Sequence, residues 1–273
     1  MKGIIGAIVG DVVGSLHESF NAGPEKPKKD FTLFTKASEV TDDSICTVAV
    51  ANWLLKDASS KDVLIDSFHE ICLEGKQGGF GGSFLKWLKE HSREPYNSYG
   101  NGSAMRVSPV GWYAKSLQEC LDLAKMSAEV THNHPEGIKG AQTVAAAIFL
   151  TRLGFNKAYI KDYIENTFGY DLSSRTIDEQ TPTYRFYVSC QRSVPQSIQC
   201  WLESSTYEET VRKAVCMGGD TDTMAAIAGS IAAATPGMEV PDEMVMKAVN
   251  ARWPENGNEM IDIINEFHSK YEV

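Results

Sequence analysis

Apolar residues return every three to four positions along most of this chain, and that period is the strongest constraint on its fold. Ile45, Val48, Ala49, Trp53 and Leu54 form one stripe, Leu121, Ala124, Met126 and Val130 a second, and Ala141, Val144, Ala145, Ile148 and Phe149 a third. Such spacing gathers side chains on one face of a helix, whereas a strand alternates its faces every second residue. Strand signals are few. Tyr184–Val188 alternates weakly, but Thr181-Pro182 before it and Pro195 after it predict a loop or a helix start. The expectation is an all-α fold. Glycine clusters at 76–82 and 96–102 predict loops, and neither is composed like a flexible interdomain linker, so residues 1–273 are expected to form a single domain.

The first predicted helix carries Gly3, Gly6, Gly10 and Gly14 at spacings of three and four, on one face. A glycine inside a helix costs about 1 kcal/mol relative to alanine, so the stripe predicts another helix lying very close. The small-residue run Met224–Ala234 is the natural partner. Asp11 and Glu18, seven apart, share a face of the same apolar segment, and buried carboxylates need a cation, hydrogen-bond donors or a metal.

The net charge of -10 excludes nonspecific binding to a phosphate backbone, since such a surface repels it, but leaves smaller partners open. The six cysteines form no CxxC pair and read as reduced core thiols. No run approaches the roughly 18 apolar residues of a membrane span, and Asp11 interrupts the apolar N-terminus, so the protein is expected to be cytoplasmic.

Two turns are rich in carboxylates. Thr41-Asp42-Asp43-Ser44 precedes an apolar helix, where Thr41 or Asp42 would serve as an N-cap. Gly218-Gly219-Asp220-Thr221-Asp222-Thr223 precedes the alanine-rich run. Residues two apart diverge on a helix, so Asp220 and Asp222 converge only in the turn that leads into it. Capping requires one such side chain, and this turn supplies four in a row. Together, Asp42, Asp43, Asp220 and Asp222, with the hydroxyls of Thr41 and Thr223, suit hard divalent cations, Mg²⁺ or Mn²⁺; zinc would prefer Cys and His. Four carboxylates in one pocket repel unless cations neutralise them.

These blocks resemble the ADP-ribosylglycohydrolase family. Gly6–Gly14 leading to Glu18 looks like its opening helix and acidic residue, and Thr41-Asp42-Asp43 like its first metal motif. Gly100-Asn101-Gly102-Ser103-Ala104-Met105-Arg106 resembles its diphosphate and ribose loop, Thr131–Glu136 a second pocket segment, and Gly218–Thr223 the closing metal motif. The resemblance implies a compact orthogonal helical bundle with two Mg²⁺ or Mn²⁺ ions held by Thr41, Asp42, Asp43, Asp220, Asp222 and Thr223. It implies substrate contacts from Gly100, Asn101, Gly102, Ser103 and His132, and catalysis by Glu18, Asp43 and Asp222 on an ADP-ribosylated protein or small molecule. A silent ADP-ribose binder and a dinuclear hydrolase of another nucleotide are the alternatives. Arg192, in Gln191-Arg192-Ser193-Val194-Pro195, stands where a bacterial subgroup of the family has glycine, and is expected to narrow the cleft or to recognise a leaving group.

Overall fold

In a computed structural model, described over residues 2–18, 26–74 and 79–272, the chain is 64% helical and forms one all-α domain. The first helices are α1 (Ile5–Gly14), α2 (Asp42–Asp57), α3 (Lys61–Glu74), α4 (Gly82–Lys89), α5 (Gly102–Met105), α6 (Ser108–Tyr113) and α7 (Leu117–Glu129). They continue with α8 (Pro135–Arg152), α9 (Lys157–Phe168), α10 (Ile177–Gln180), α11 (Cys190–Leu202), α12 (Tyr207–Met217), α13 (Thr221–Ala234), α14 (Asp242–Val249) and α15 (Gly257–Tyr271). Among the described residues there is no strand; residues 185–189 are extended, with an isolated bridge from Ser189 to Gly100. Of the predicted 76–82 loop, residues 76–78 lie outside the described residues, and Gly82 already opens α4.

Helix α13 is the axis of the bundle, buried along its full length and enclosed by α1, α8, α11 and α12. The glycine stripe explains how close α1 comes. A Cβ on Gly10 would stand 2.2 Å from the Ala225 carbonyl oxygen, and one on Gly14 2.5 Å from the Thr221 oxygen. Gly3 differs from the expectation: it precedes the helix at φ +108° and faces the Glu272 carboxylate. That carboxylate accepts from the Ile4 N–H at 2.7 Å, tying the two ends of the described chain together. In α7 the buried face runs through Cys120, Leu123, Ala124, Ser127 and Ala128, leaving Leu121 and Met126 half-buried, because tertiary packing rotates the predicted stripe by one residue. Five of the cysteines are buried and all are free thiols, as expected.

Gly10→Ala is expected to cost about 1–3 kcal/mol, since neither backbone can yield to the added methyl. Thermal denaturation measures this, with Gly82→Ala, whose Cβ meets open space, as the unchanged control.

Candidate metal centre and substrate cavity

A cavity of about 500 Å³ opens where the end of α1 and the first turns of α2 and α13 meet. The close packing of α1 on α13 delivers its acids. Asp11, one residue past Gly10, and Asp222, against Gly14, come together with Asp43; carboxylate oxygens of all three lie within 4.8 Å of one another. Glu18, Asp220 and Asp222 form a second triplet within the same limit, so Asp222 is common to both. Glu18 lies beyond the end of α1, in the chain that leaves it, not on its helical face.

The capping alternative fails at both turns. Thr41 and Asp220 occupy the N-cap positions of α2 and α13, and neither side chain caps its helix. Asp11 does so for α2 from across the interface. Its carboxylate accepts from the Thr41 N–H at 3.0 Å, the Ser44 N–H at 3.2 Å and the Thr41 hydroxyl at 2.6 Å, and from the Ser44 hydroxyl. With the helix end satisfied by Asp11, the carboxylates of Asp42 and Asp43 are free to face the cavity. Asp43 Oδ1 is buried and has no hydrogen-bond partner among the described residues. Asp42 lines the cavity but joins neither triplet.

Burial and mutual repulsion shift these acids in one direction. Burial first, then the charge of Asp222, pushes Asp11 up to about 7, against four opposing hydrogen bonds from Thr41 and Ser44. The same two causes push Glu18 up to about 7 and hold Asp43 and Asp220 well above the carboxylate range. For Asp42, burial comes first, followed by Cys46 and Asp222. Buried carboxylates that repel one another, with one oxygen left without a donor, are completed by cations. Oxygen donors from Asp and Thr side chains fit a hard divalent ion.

The opposite wall is the loop Gly100–Gly102 with His132. Asn101 joins the two halves, its Nδ2 donating to Asp220 Oδ2 at 2.7 Å. The Gly100 and Asn101 N–H groups are taken by Ser98 Oγ and the Val188 carbonyl, which leaves that of Gly102, a cavity-lining residue, at the open end of α5. Ser103 does not line the cavity; its buried hydroxyl donates to the Gly137 carbonyl at 2.7 Å. His132 is buried, and burial with the nearby Arg106 cation holds it well below the usual histidine range, so it is neutral. Its Nδ1 lies 2.8 Å from the Thr131 hydroxyl, which accepts from Arg106. The Thr131 proton is therefore assigned to Nδ1, and Nε2, close to Gly102, carries the hydrogen that can be donated. His134 caps α8 instead, accepting from the Glu136 N–H.

Arg106 makes no ion pair with an acid among the described residues. It is buried, stacks at 4.4 Å over Phe68 and braces Ser127 and Thr131. Arg192 lies outside this cavity, 4.1 Å over the Tyr187 ring, so it does not narrow the cleft. Sequence reasoning left Asp11 and Ser44 out of the site. The signal was a single carboxylate inside an otherwise apolar helix, which can stay there only with donors supplied from elsewhere.

A family model described as ADP-ribosylglycohydrolase matches residues 1–272. Mouse ADP-ribosylhydrolase ARH3 is 26% identical over 88% of this chain and 84% of its own length. The ADP-ribosyl-[dinitrogen reductase] glycohydrolase of Rhodospirillum rubrum is 22% identical over 86% of this chain and 84% of its own. A solved structure described as an ADP-ribosylglycohydrolase-related protein complex superposes with a TM-score of 0.70 over 97% of this chain and 95% of that one, at 20% identity. That last likeness is one of fold.

Proposed function

The chain belongs to the ADP-ribosylglycohydrolase family, and from that premise we propose that it is a divalent-metal-dependent hydrolase releasing ADP-ribose from a modified protein. The observation that carries the metal dependence is Asp43 Oδ1, a buried acceptor without a donor, set in a pocket of mutually repelling carboxylates. Thr41, Asp42, Asp43, Asp220, Asp222 and Thr223 would hold two Mg²⁺ or Mn²⁺ ions, with Asp11 fixing Thr41 from behind. When bound, the ions would supply Lewis acidity to the sugar hydroxyls and to the attacking water.

The protein's own groups account for the rest. Glu18, pushed up to about 7, is suited to take a proton from water at neutral pH and return it to the departing acceptor. Water adds to C1″ of the distal ribose as the bond from C1″ to the acceptor breaks. The positive charge that grows at C1″ is stabilised by the Asp43 and Asp222 carboxylates. His132 Nε2–H and the N–H group of Gly102 are donors for the diphosphate. Tyr99 and Phe186, exposed aromatics near the Gly100–Gly102 loop and at the cavity rim, offer stacking surfaces to the base.

The test is product analysis with arginine- and serine-ADP-ribosylated protein, in Mg²⁺ or Mn²⁺ and in EDTA. Free ADP-ribose that appears only with metal is the expected result. AMP would overturn the reading in favour of phosphoester cleavage, and saturable ADP-ribose binding without product from any acceptor would make the chain a silent binder.

A further inference from the structure

The extended residues 185–189 form two walls. Phe186 and Val188 face the main cavity, while Tyr187, between them, faces outward with Tyr184 into a separate groove. Two adjoining recesses of about 380 and 250 Å³ make up this groove and share Arg175, Gln180 and Gln196.

A row of carboxamides runs into it, each oriented by the one before. The row starts at the Glu203 carboxylate, which accepts from Gln199 Nε2 at 2.8 Å. Gln199 Oε1 accepts from Gln180 Nε2 at 2.7 Å, and Gln180 Oε1 from Gln196 Nε2 at 3.2 Å. Because a carboxylate can only accept, the direction of every amide follows from it. The row ends in Gln196 Oε1, which is buried and has no hydrogen-bond partner among the described residues. At the far side of the larger recess, Tyr170 is buried to 6% exposure and its hydroxyl is also without a partner.

The charge of the smaller recess is unlike that of the rest of the molecule. Arg175 and Arg192 both line the smaller recess, and no acidic residue lines it with them. Arg175 donates to the Glu179 carbonyl and Arg192 lies over Tyr187, so neither is held by a carboxylate. In the larger recess Lys139 is already paired with Glu136 at 2.8 Å, and Asp171 accepts from the Ser173 and Ser174 N–H groups of its own turn. Two guanidinium groups without a carboxylate partner, lining a recess with a fixed acceptor, specify an unusual ligand: it must carry negative charge and also donate a hydrogen bond.

We propose that this groove is a second ligand site, which takes a small oxyanion bearing its own hydrogen-bond donor. The oxyanion accepts from Arg175 and Arg192 while its O–H or N–H donates to Gln196 Oε1. Hydrogenphosphate and the α-amino acids share this chemistry. Sulfate and acetate, anionic but without a proton to give at neutral pH, lack it.

Calorimetry on the full chain tests the proposal, in EDTA so that no metal draws anions into the main cavity. Inorganic phosphate is expected to bind at least tenfold more tightly than sulfate, or glycine at least tenfold more tightly than acetate. Whichever pair shows the preference assigns the ligand to the phosphates or to the amino acids. Arg175→Gln and Arg192→Gln, both on exposed side chains, should each weaken binding about tenfold, and Gln196→Leu should erase the preference over the proton-free anion. His132→Ala, in the main cavity, should leave it intact. Equal binding of donor and donor-free anions, loss of binding in His132→Ala, or no binding of any of the four probes would overturn the site. The readout is binding without turnover, so its failure is separate from that of the hydrolase reading.

Discussion

Asp222→Ala is expected to lower kcat/KM for ADP-ribose release at least about a thousandfold, roughly 4 kcal/mol of transition-state stabilisation, while raising the melting temperature of the metal-free chain. The second effect has a sign opposite to that of most buried substitutions. Asp222 is the acid common to both triplets, and its charge is among the causes that push up Asp11, Glu18, Asp42, Asp43 and Asp220. Removing it relieves repulsion at five sites at once, and against that the fold loses chiefly the acceptor of the Thr223 N–H, which donates to Asp222 Oδ1 at 2.9 Å in the first turn of α13. In the parent chain metal binds the folded state and raises the melting temperature in proportion to RT ln(1 + [M]/Kd); in the variant that rise should vanish. Scanning fluorimetry in EDTA and in millimolar Mg²⁺, beside a turnover assay, reads both effects. A variant that keeps activity, or that melts lower than the parent in EDTA, sinks the assignment of Asp222 to the metal centre.

Burial, together with the same repulsion, fixes the pH dependence of the metal-free chain. Asp11 and Glu18 titrate near 4 when unfolded and at about 7 when folded. Across that window the folded chain holds protons that the unfolded chain has released, so stability falls as pH rises from about 4 to about 7. Unfolding of the EDTA-treated protein by urea at a series of pH values should show this decline, and millimolar Mg²⁺ should flatten it. A metal-free chain that gains stability over the same interval would mean that the carboxylates are solvated rather than buried together.

The helices, the two acidic turns and the glycine stripe were legible because each is local: a period of 3.6, a run of oxygen-bearing side chains, and spacings of three and four. The stripe also foretold the contact of Gly6, Gly10 and Gly14 with the alanine-rich helix, since close approach is what justifies glycines at that spacing, while Gly3 serves the turn before the helix. What lies between distant segments was hidden. Nothing near Thr41 in sequence indicates that its cap comes from Asp11, thirty residues earlier. His132 and His134 differ by two positions and look equivalent, yet the first faces the cavity and the second caps α8, a division set by where the helix begins. Arg192 was placed in the main cleft because the motif around it was read as one unit. Arg192 instead lies in the first turn of α11, over Tyr187, and lines the recess behind the main cavity.

Asp11→Ala should behave differently from Asp222→Ala although both acids belong to one triplet. Asp11 is held by four donors, the N–H and hydroxyl groups of Thr41 and Ser44. Loss of its carboxylate strips α2 of its cap, at about 1 kcal/mol, and leaves buried donors unsatisfied at about 1–3 kcal/mol more. Relief of burial and of the repulsion from Asp222 works the other way while Asp11 is charged, but near pH 4 the folded chain holds it protonated, with its hydrogen bonds kept and both penalties gone. At that pH the donors therefore win, and the metal-free variant should be less stable than the parent by roughly 2–4 kcal/mol. Metal affinity should fall about 10–100-fold, the usual effect of removing a group that orients ligands without being one. Asp11→Asn keeps an acceptor on one side only and should lie between the two. Mn²⁺ titration followed by electron paramagnetic resonance gives the affinity and fluorimetry in EDTA near pH 4 gives the stability. If Asp11→Ala instead melts higher in EDTA and binds no Mn²⁺, Asp11 acts as a ligand like Asp222, and the cap it provides to α2 is secondary.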